Sequence, residues 1–236
     1  MPDSYKEPYG DLQGIRRTYA GMLAAMDEGI GQILAALEEE KMTENTLVIF
    51  SSDNGGPSPG KVTDNGPLRA GKGTIYEGGV RVCACVSWPG KIKAGTRIAE
   101  PLHGVDWYPT LLKIAGAPLE QKHAVDGRDI LPVLVEGAKS PHEVILHCGM
   151  SPGVAALRMG DWKLVVHGRA GAGEGKPTAK GKKKGQAGGA ERVELFNLKE
   201  DLGEKKDLAA ENPEKVAELR GKMEKAFEGA VGMGER

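Results

Sequence analysis

The amino-acid sequence predicts an α/β fold, a doubly wound sheet domain followed by a small α+β unit, and three observations carry that prediction. An amphipathic helix pattern runs straight into a short apolar strand that ends in small polar residues, the order of a helix feeding a sheet. The stretch after that strand is dense in Gly, Pro, Asn and Asp, too irregular for an element but long enough to wrap a pocket. Past residue 153 the pattern changes to alternating strands around a tight turn, closed by a second amphipathic helix.

Residues 3–11 form a polar loop rich in Tyr, Pro and Gly. Apolar residues then fall at Ile15, Tyr19, Met22, Leu23, Met26, Ile30, Ile33, Leu34 and Leu37, the three- and four-residue steps of one helix face, so this helix is expected to pack on a sheet with Met22 and Met26 in the core. A loop at residues 42–45 leads into Leu47-Val48-Ile49-Phe50, which reads as a strand buried on both faces and ending at the carboxyl edge of a parallel sheet, where open α/β sheets place their ligands. At that end stand Asp53 and Asn54, followed by Gly55 and Gly56. A carboxylate beside an amide oxygen suits a hard cation such as Ca²⁺ or Mg²⁺, and the same four residues also read as turn chemistry.

In the following loop, Arg69 and Lys72 stand among Gly71 and Gly73. Two cations on a glycine-rich backbone could hold an anionic tetrahedral group, or form a solvated basic loop. Residues 79–88 alternate and are β-rich up to the turn at Pro89-Gly90; Cys83 and Cys85 alternate within that expected strand and read as small core side chains. His103 and Asp106 lie in the segment of residues 103–110 that leads into a short helix over residues 111–116 closed by its glycine, and a capping and packing role accounts for them better than a metal. Residues 154–159 and 162–166 flank Gly160-Asp161 as a hairpin. Residues 193–198 form a third strand, and Asn212-Pro213 opens a helix with Val216, Leu219, Met223 and Phe227 on its apolar face. Between the second and third strands, residues 168–190 carry Lys176, Lys180, Lys182, Lys183 and Lys184 among glycines and alanines; this basic insert is expected to be disordered, and a solvated hairpin insertion accounts for it better than a tether whose charge attracts a sulfated polyanion.

At 236 residues and 39% hydrophobic content the chain can bury one sizeable core with a small satellite. A formal charge of −1 supplies no global reason to bind nucleic acid or a membrane surface, and no apolar run reaches membrane-spanning length. Residues 1–7 hold no hydrophobic export core, and three cysteines are too few for a disulfide framework and lack zinc-site spacing.

Several of these segments together resemble a known family. Tyr19-Ala20-Gly21-Met22 through Met26-Asp27-Glu28, Ser51-Ser52-Asp53-Asn54-Gly55-Gly56, Pro67-Leu68-Arg69-Ala70-Gly71-Lys72-Gly73-Thr74, Glu77-Gly78-Gly79-Val80-Arg81, Trp88-Pro89-Gly90, Asp106-Trp107-Tyr108-Pro109-Thr110 and Asp126-Gly127-Arg128 are similar to motifs of the type I sulfatases of the alkaline phosphatase superfamily, most like arylsulfatases of the N-acetylgalactosamine-4-sulfatase sort. The likeness covers about residues 1–167 and 191–228. It implies part of an alkaline-phosphatase-like α/β domain over residues 1–150, then a small carboxy-terminal subdomain of antiparallel sheet plus helix over residues 151–236. It also implies that Asp53 and Asn54 coordinate an active-site Ca²⁺ (or Mg²⁺) and that Lys72 contacts the sulfate and acts in catalysis; Arg69, beside it in the basic loop, reads as the second substrate-binding cation by its charge and position. The implied reaction is hydrolysis of aryl or carbohydrate sulfate esters.

In that family the nucleophile is a formylglycine made from a Cys/Ser-x-Pro-x-Arg motif, which this sequence lacks, as it lacks the paired aspartates and histidines that complete the family's site. The resemblance thus implies the carboxy-terminal portion of a sulfatase, inactive without an amino-terminal sulfatase half as partner. Its substrate would be a sulfated small molecule or glycan, with no nucleic acid or membrane partner and a periplasmic or secreted setting by family habit. The alternatives are a phosphate or phosphonate ester hydrolase of the same superfamily and a non-catalytic remnant or binding module. Leu202 stands where the family usually has proline, and a looser turn is expected there.

Overall fold

The computed structural model describes residues 2–122, 124–151, 153–168 and 191–228. Most of the basic insert, with its expected disorder and polyanion contact, lies outside the described residues. The chain divides into two compact units, one formed by Met1–Asp64 and Val82–His142, the other by Asn65–Arg81 and Glu143–Arg236. The glycine-rich loop with Arg69 and Lys72 therefore belongs with the carboxy-terminal sheet, while Asp53 and Asn54 belong to the other unit.

In the first unit, α1 runs over Gly14–Glu39, as its periodicity predicts. It ends where Lys41 turns left-handed (φ 58°), with its N–H donating to the Glu38 carbonyl and that of Met42 to Leu37, a helix-closing pattern. The expected burial of its apolar stripe is not realised: Met22 and Met26 are 57% and 46% exposed, and Gly21 is the one buried residue among those described in the helix. The elements packed on α1 are chiefly the short 3-10 turns Asp3–Tyr5, Glu7–Tyr9 and Thr43–Asn45. A stripe is buried only where another layer lies over it, and three single turns do not make a layer.

Strand β1, Val48–Ser51, pairs with β2, Ala84–Ser87, in antiparallel register with Ile49 opposite Val86 and Phe50 opposite Cys85. This corrects the reading of β1 as a strand buried on both faces between parallel neighbours; among the described residues it is half-buried beside one antiparallel partner. Cys83 and Cys85 are exposed rather than core, because the inward position of β2 is Val86, which packs against the buried cluster Ile130, Val133 and Leu134. A 3-10 turn over Gly104–Asp106 feeds α3, Trp107–Ile114, which closes at Gly116 (φ 67°) as expected but starts four residues before the expected Leu111, because the turn runs directly into it. The helix over Leu131–Glu136 was not foreseen, although Pro132 near its start and left-handed Gly137 (φ 69°) after its end are ordinary helix punctuation.

The second unit opens with α2, the single helical turn Glu77–Val80, so the strand expected from residue 79 begins only at Ala84; the Arg81 N–H closes the turn onto the Glu77 carbonyl. The unforeseen helix at Leu131–Glu136 is thus α4, and the carboxy-terminal helix, Pro213–Glu228, is α5. Four antiparallel strands follow in spatial order β3 (Ile145–Cys148), β4 (Ala155–Met159), β5 (Trp162–His167) and β6 (Arg192–Asn197). Three were predicted; β3 was missed because four residues carry too little alternation to stand out.

Alternation decides what each face of this sheet meets. Leu157, Leu164, Val166 and Leu195 point to one side and pack with Leu219 and Met223 of α5. Ala156, Val165 and Phe196 point to the other, where they meet Ile75 of the glycine-rich loop. By the same parity Lys163 and Glu194 lie on the loop side. The turn at Leu202 is not loose: the Glu204 N–H donates to the Asp201 carbonyl, and the Asp201 carboxylate accepts from the N–H groups of Lys205 and Lys206 at 2.6 and 2.7 Å. Among the described residues no helix is long and apolar enough to cross a membrane.

The two burial patterns make opposite predictions. Leu164→Ala should cost about 2–5 kcal/mol as a core truncation. Met22→Ala should stay within about 0.5 kcal/mol as a surface change. Urea unfolding of both variants checks this, and a Met22 loss as large as the Leu164 loss would contradict the exposed stripe.

Candidate functional site

Asp53 and Asn54 leave the end of β1, whose ladder extends one residue through the Ser52 N–H donating to the Cys83 carbonyl at 3.1 Å. The Ser52 hydroxyl donates to the Asn54 carbonyl at 2.8 Å and the Asn54 amide donates to the Gly55 carbonyl at 3.0 Å, so the chain turns sharply as it leaves the strand. Asp53 is exposed. Carboxylate and amide oxygens fit a hard cation in kind, but two residues fall short of the roughly six to eight oxygens Ca²⁺ takes. Among the described residues no group of three His, Cys, Asp or Glu side chains is placed to hold a metal.

His103 and Asp106 take the capping role. The Val105 N–H donates to His103 Nδ1, and the His103 N–H donates to Asp106 Oδ2 at 2.7 Å. Fully buried Asp106 also accepts from the Arg128 N–H at 2.9 Å and lies 2.8 Å from His142 Nε2. Gly127 permits the first of these contacts, since a Cβ there would stand 2.2 Å from the Val105 carbonyl oxygen.

Lys72 sits at the exposed tip of a tight turn in the second unit. Both the N–H and the hydroxyl of Thr74 donate to the Gly71 carbonyl, at 3.1 and 2.8 Å, and Gly73 adopts φ 87°. The Asn65 side chain braces the loop from behind, donating to the Ala70 carbonyl at 2.8 Å. Arg69 is turned to the sheet: its guanidinium stacks 3.8 Å from the Tyr76 ring centroid, donates to the Glu204 carbonyl at 2.9 Å and pairs with Glu194 at 3.4 Å. Tyr76 donates its hydroxyl to the same Glu194 carboxylate at 2.6 Å, and partial burial together with that carboxylate pushes its pKa up to about 12.

Behind the loop lies a buried charge cluster that sequence reasoning missed. Lys163 Nζ is 2.8 Å from Glu77 Oε1 and 3.0 Å from Glu204 Oε1, and none of the three side chains is more than 2% exposed. Glu204 Oε2 accepts from the Glu77 backbone N–H at 2.7 Å. Glu77 Oε2 has no aligned hydrogen bond and faces Arg81 and Arg158, each at 3.9 Å; Glu204 Oε1 likewise meets Lys163 as a charge contact without hydrogen-bond alignment. Burial raises the Glu204 pKa above the ordinary carboxylate value, against the opposing pull of Lys163 and the Glu77 N–H. The one available signal was a lysine inside the apolar run Trp162-Lys163-Leu164-Val165-Val166.

The sulfatase family model matches residues 1–117, a stretch that includes Asp53, Asn54, Lys72 and Glu77. Arylsulfatase J of Mus musculus is 39% identical over 162 residues, covering 68% of this chain and 27% of that protein. A sulfatase of Formosa agariphila is 37% identical over 218 residues, covering 86% of this chain and 37% of that protein. The chain belongs to the sulfatase family. Among solved structures, that of Ps i-CgsB in complex with k-i-k-neocarrahexaose superposes with a TM-score of 0.78 at 32% identity, over 95% of this chain and 46% of that one. The fold is thus the alkaline-phosphatase-like α/β class with a small carboxy-terminal antiparallel sheet and helix. This chain spans less than half the length of each of these proteins.

The buried carboxyl of Glu204 sets a pH dependence with a definite sign. A carboxyl whose pKa is raised on folding binds its proton more tightly in the folded chain, so its ionisation costs stability as pH rises above the ordinary value of 4.5, and that cost disappears as pH falls. Wild type should therefore gain stability relative to Glu204→Gln as the pH is lowered toward 4.5. Denaturation midpoints of the two chains at several pH values check this; a difference that runs the other way would contradict it.

Proposed function

We propose that this chain supplies the metal-binding and sulfate-binding residues of a sulfate-ester hydrolase. The observation that carries the proposal is Lys72, an exposed ammonium on a clamped turn within the stretch matched by the sulfatase family model. Asp53 and Asn54 would hold Ca²⁺, or Mg²⁺ in its place, through carboxylate and amide oxygens, and such a cation when bound neutralises charge on a sulfate group. Lys72 donates hydrogen bonds to sulfate oxygens and stabilises the negative charge that shifts as the sulfur–oxygen ester bond breaks. Arg69 keeps its place in the proposal through the loop: its stacking on Tyr76 and its bond to the Glu204 carbonyl hold the backbone that presents Lys72.

The 236 residues contain no Cys/Ser-x-Pro-x-Arg motif, so the formylglycine nucleophile of this chemistry is supplied from outside them. In this reading the boundary placed at residue 150 shifts: residues 65–81 and 143–150 join residues 151–236 in the subdomain, and the rest of residues 1–150 contributes to the α/β domain. The likeness to Ps i-CgsB, solved in complex with k-i-k-neocarrahexaose, supports a carbohydrate as the group that carries the ester.

The 236-residue chain alone should bind Ca²⁺ weakly by calorimetry, lose that binding in Asp53→Ala, and release no phenol from 4-nitrophenyl sulfate above background. Clear turnover would overturn the external nucleophile. In a protein joining this chain to a Cys/Ser-x-Pro-x-Arg segment, Lys72→Ala should lower kcat by about 10²–10³, the effect of deleting one charge-stabilising donor.

A further inference from the structure

Lys72 owes its position to residues that do not touch the proposed substrate. Gly78 and Gly79 of α2 press against the backbone of residues 69–74: a Cβ on Gly78 would stand 2.3 Å from the Ala70 carbonyl oxygen, and one on Gly79 would stand 2.2 Å from that of Thr74. The Lys72 turn therefore cannot shift without α2. The first residue of α2 is Glu77, fixed through its backbone N–H by Glu204 and through its carboxylate by Lys163. Lys163 in turn is anchored at the second position of β5, on the sheet face that the loop covers.

An apolar side chain at position 163 would match its neighbours Val165 and Phe196, and replacing a buried ion pair by apolar groups is often neutral or stabilising. Stability alone gives no reason for a lysine here. What the lysine does is bind two carboxylates carried by separate chain segments, at residues 77 and 204, and so set one register of the loop on the sheet.

We propose that Lys163 is the positioning residue for Lys72, acting through Glu77 and the two glycines of α2 to hold the ammonium where it receives a sulfate group. The inference rests on Lys72 being the sulfate contact. It assigns a functional part to a sheet residue beyond the stretch matched by the family model.

The experiment uses the 236-residue chain and two readouts, amide hydrogen exchange along residues 69–80 and titration with inorganic sulfate read from the amide shifts of Gly71 and Gly73. In Lys163→Met, exchange at residues 70–76 should accelerate at least tenfold while Leu164 and Val165 stay protected, and sulfate should bind at least fivefold more weakly. Lys163→Arg, which keeps the charge, should recover most of both. A folded Lys163→Met chain with unchanged loop exchange and unchanged sulfate response overturns the proposal. If Lys163→Met does not fold, Glu77→Gln, which keeps the shape and removes the charge, decides by the same two readouts. If wild type shows no response to sulfate, the reading of Lys72 is what fails, and loop exchange alone decides whether Lys163 holds the loop.

Discussion

The second unit depends on one interaction, the contact of the buried Lys163 ammonium with Glu77 and Glu204. Taking three charges out of water costs several kcal/mol per ion, and the cost is offset only if each charge keeps close, well-placed partners. The partners here come from three places in the chain, the helical turn α2 at residue 77, a strand at residue 163 and a turn at residue 204, so all three must be in register before any charge is satisfied. Hydrophobic contacts such as Ile75 against Phe196 bring the loop to the sheet, but apolar packing tolerates sliding in a way that a three-charge cluster does not. The raised pKa of Glu204 reports the same tension: desolvation outweighs the pull of its cationic partner.

A second layer of charge sits beside the first and is better solvated. Arg69 and Arg192 both pair with Glu194, which also accepts from the Tyr76 hydroxyl. Of these two cations, Lys72 is thereby the one left exposed. Sequence composition presents Arg69 and Lys72 as equivalent cations three residues apart. The difference between them comes from the Tyr76 ring and the Glu194 carboxylate, which offer a planar guanidinium both stacking and paired hydrogen bonds.

In the first unit the physical lesson runs the other way. The helix over Gly14–Glu39 has the periodicity of a buried helix, yet Ile15, Met22 and Ile33 are more than half exposed. Periodicity records which face is apolar, while burial needs a second surface. Cys83, just before β2, and Cys85 within it illustrate the same limit: alternation separates Val86 from both correctly, but it was the valine, next to Ile130 and Val133, that found a core to enter.

The sequence by itself determined what depends on local chemistry. Apolar spacing set the helices over residues 14–39 and 213–228, glycine and proline set the hairpin at Gly160 and the close at Gly116, and a capping pattern set His103 and Asp106. The motifs around Asp53, Asn54 and Lys72 were legible because they lie within single segments, where spacing survives in one dimension. Tertiary structure alone decided that the loop at residues 65–81 belongs with the carboxy-terminal sheet, that Arg69 faces inward, and that Lys163 is a buried charge rather than a solvated one. Each of these outcomes turns on partners more than 80 positions apart, Glu77 with Lys163 and Arg69 with Glu194 among them. A charged residue carries no local mark of whether its counter-charge will be present, so its burial is settled only when the chain has folded.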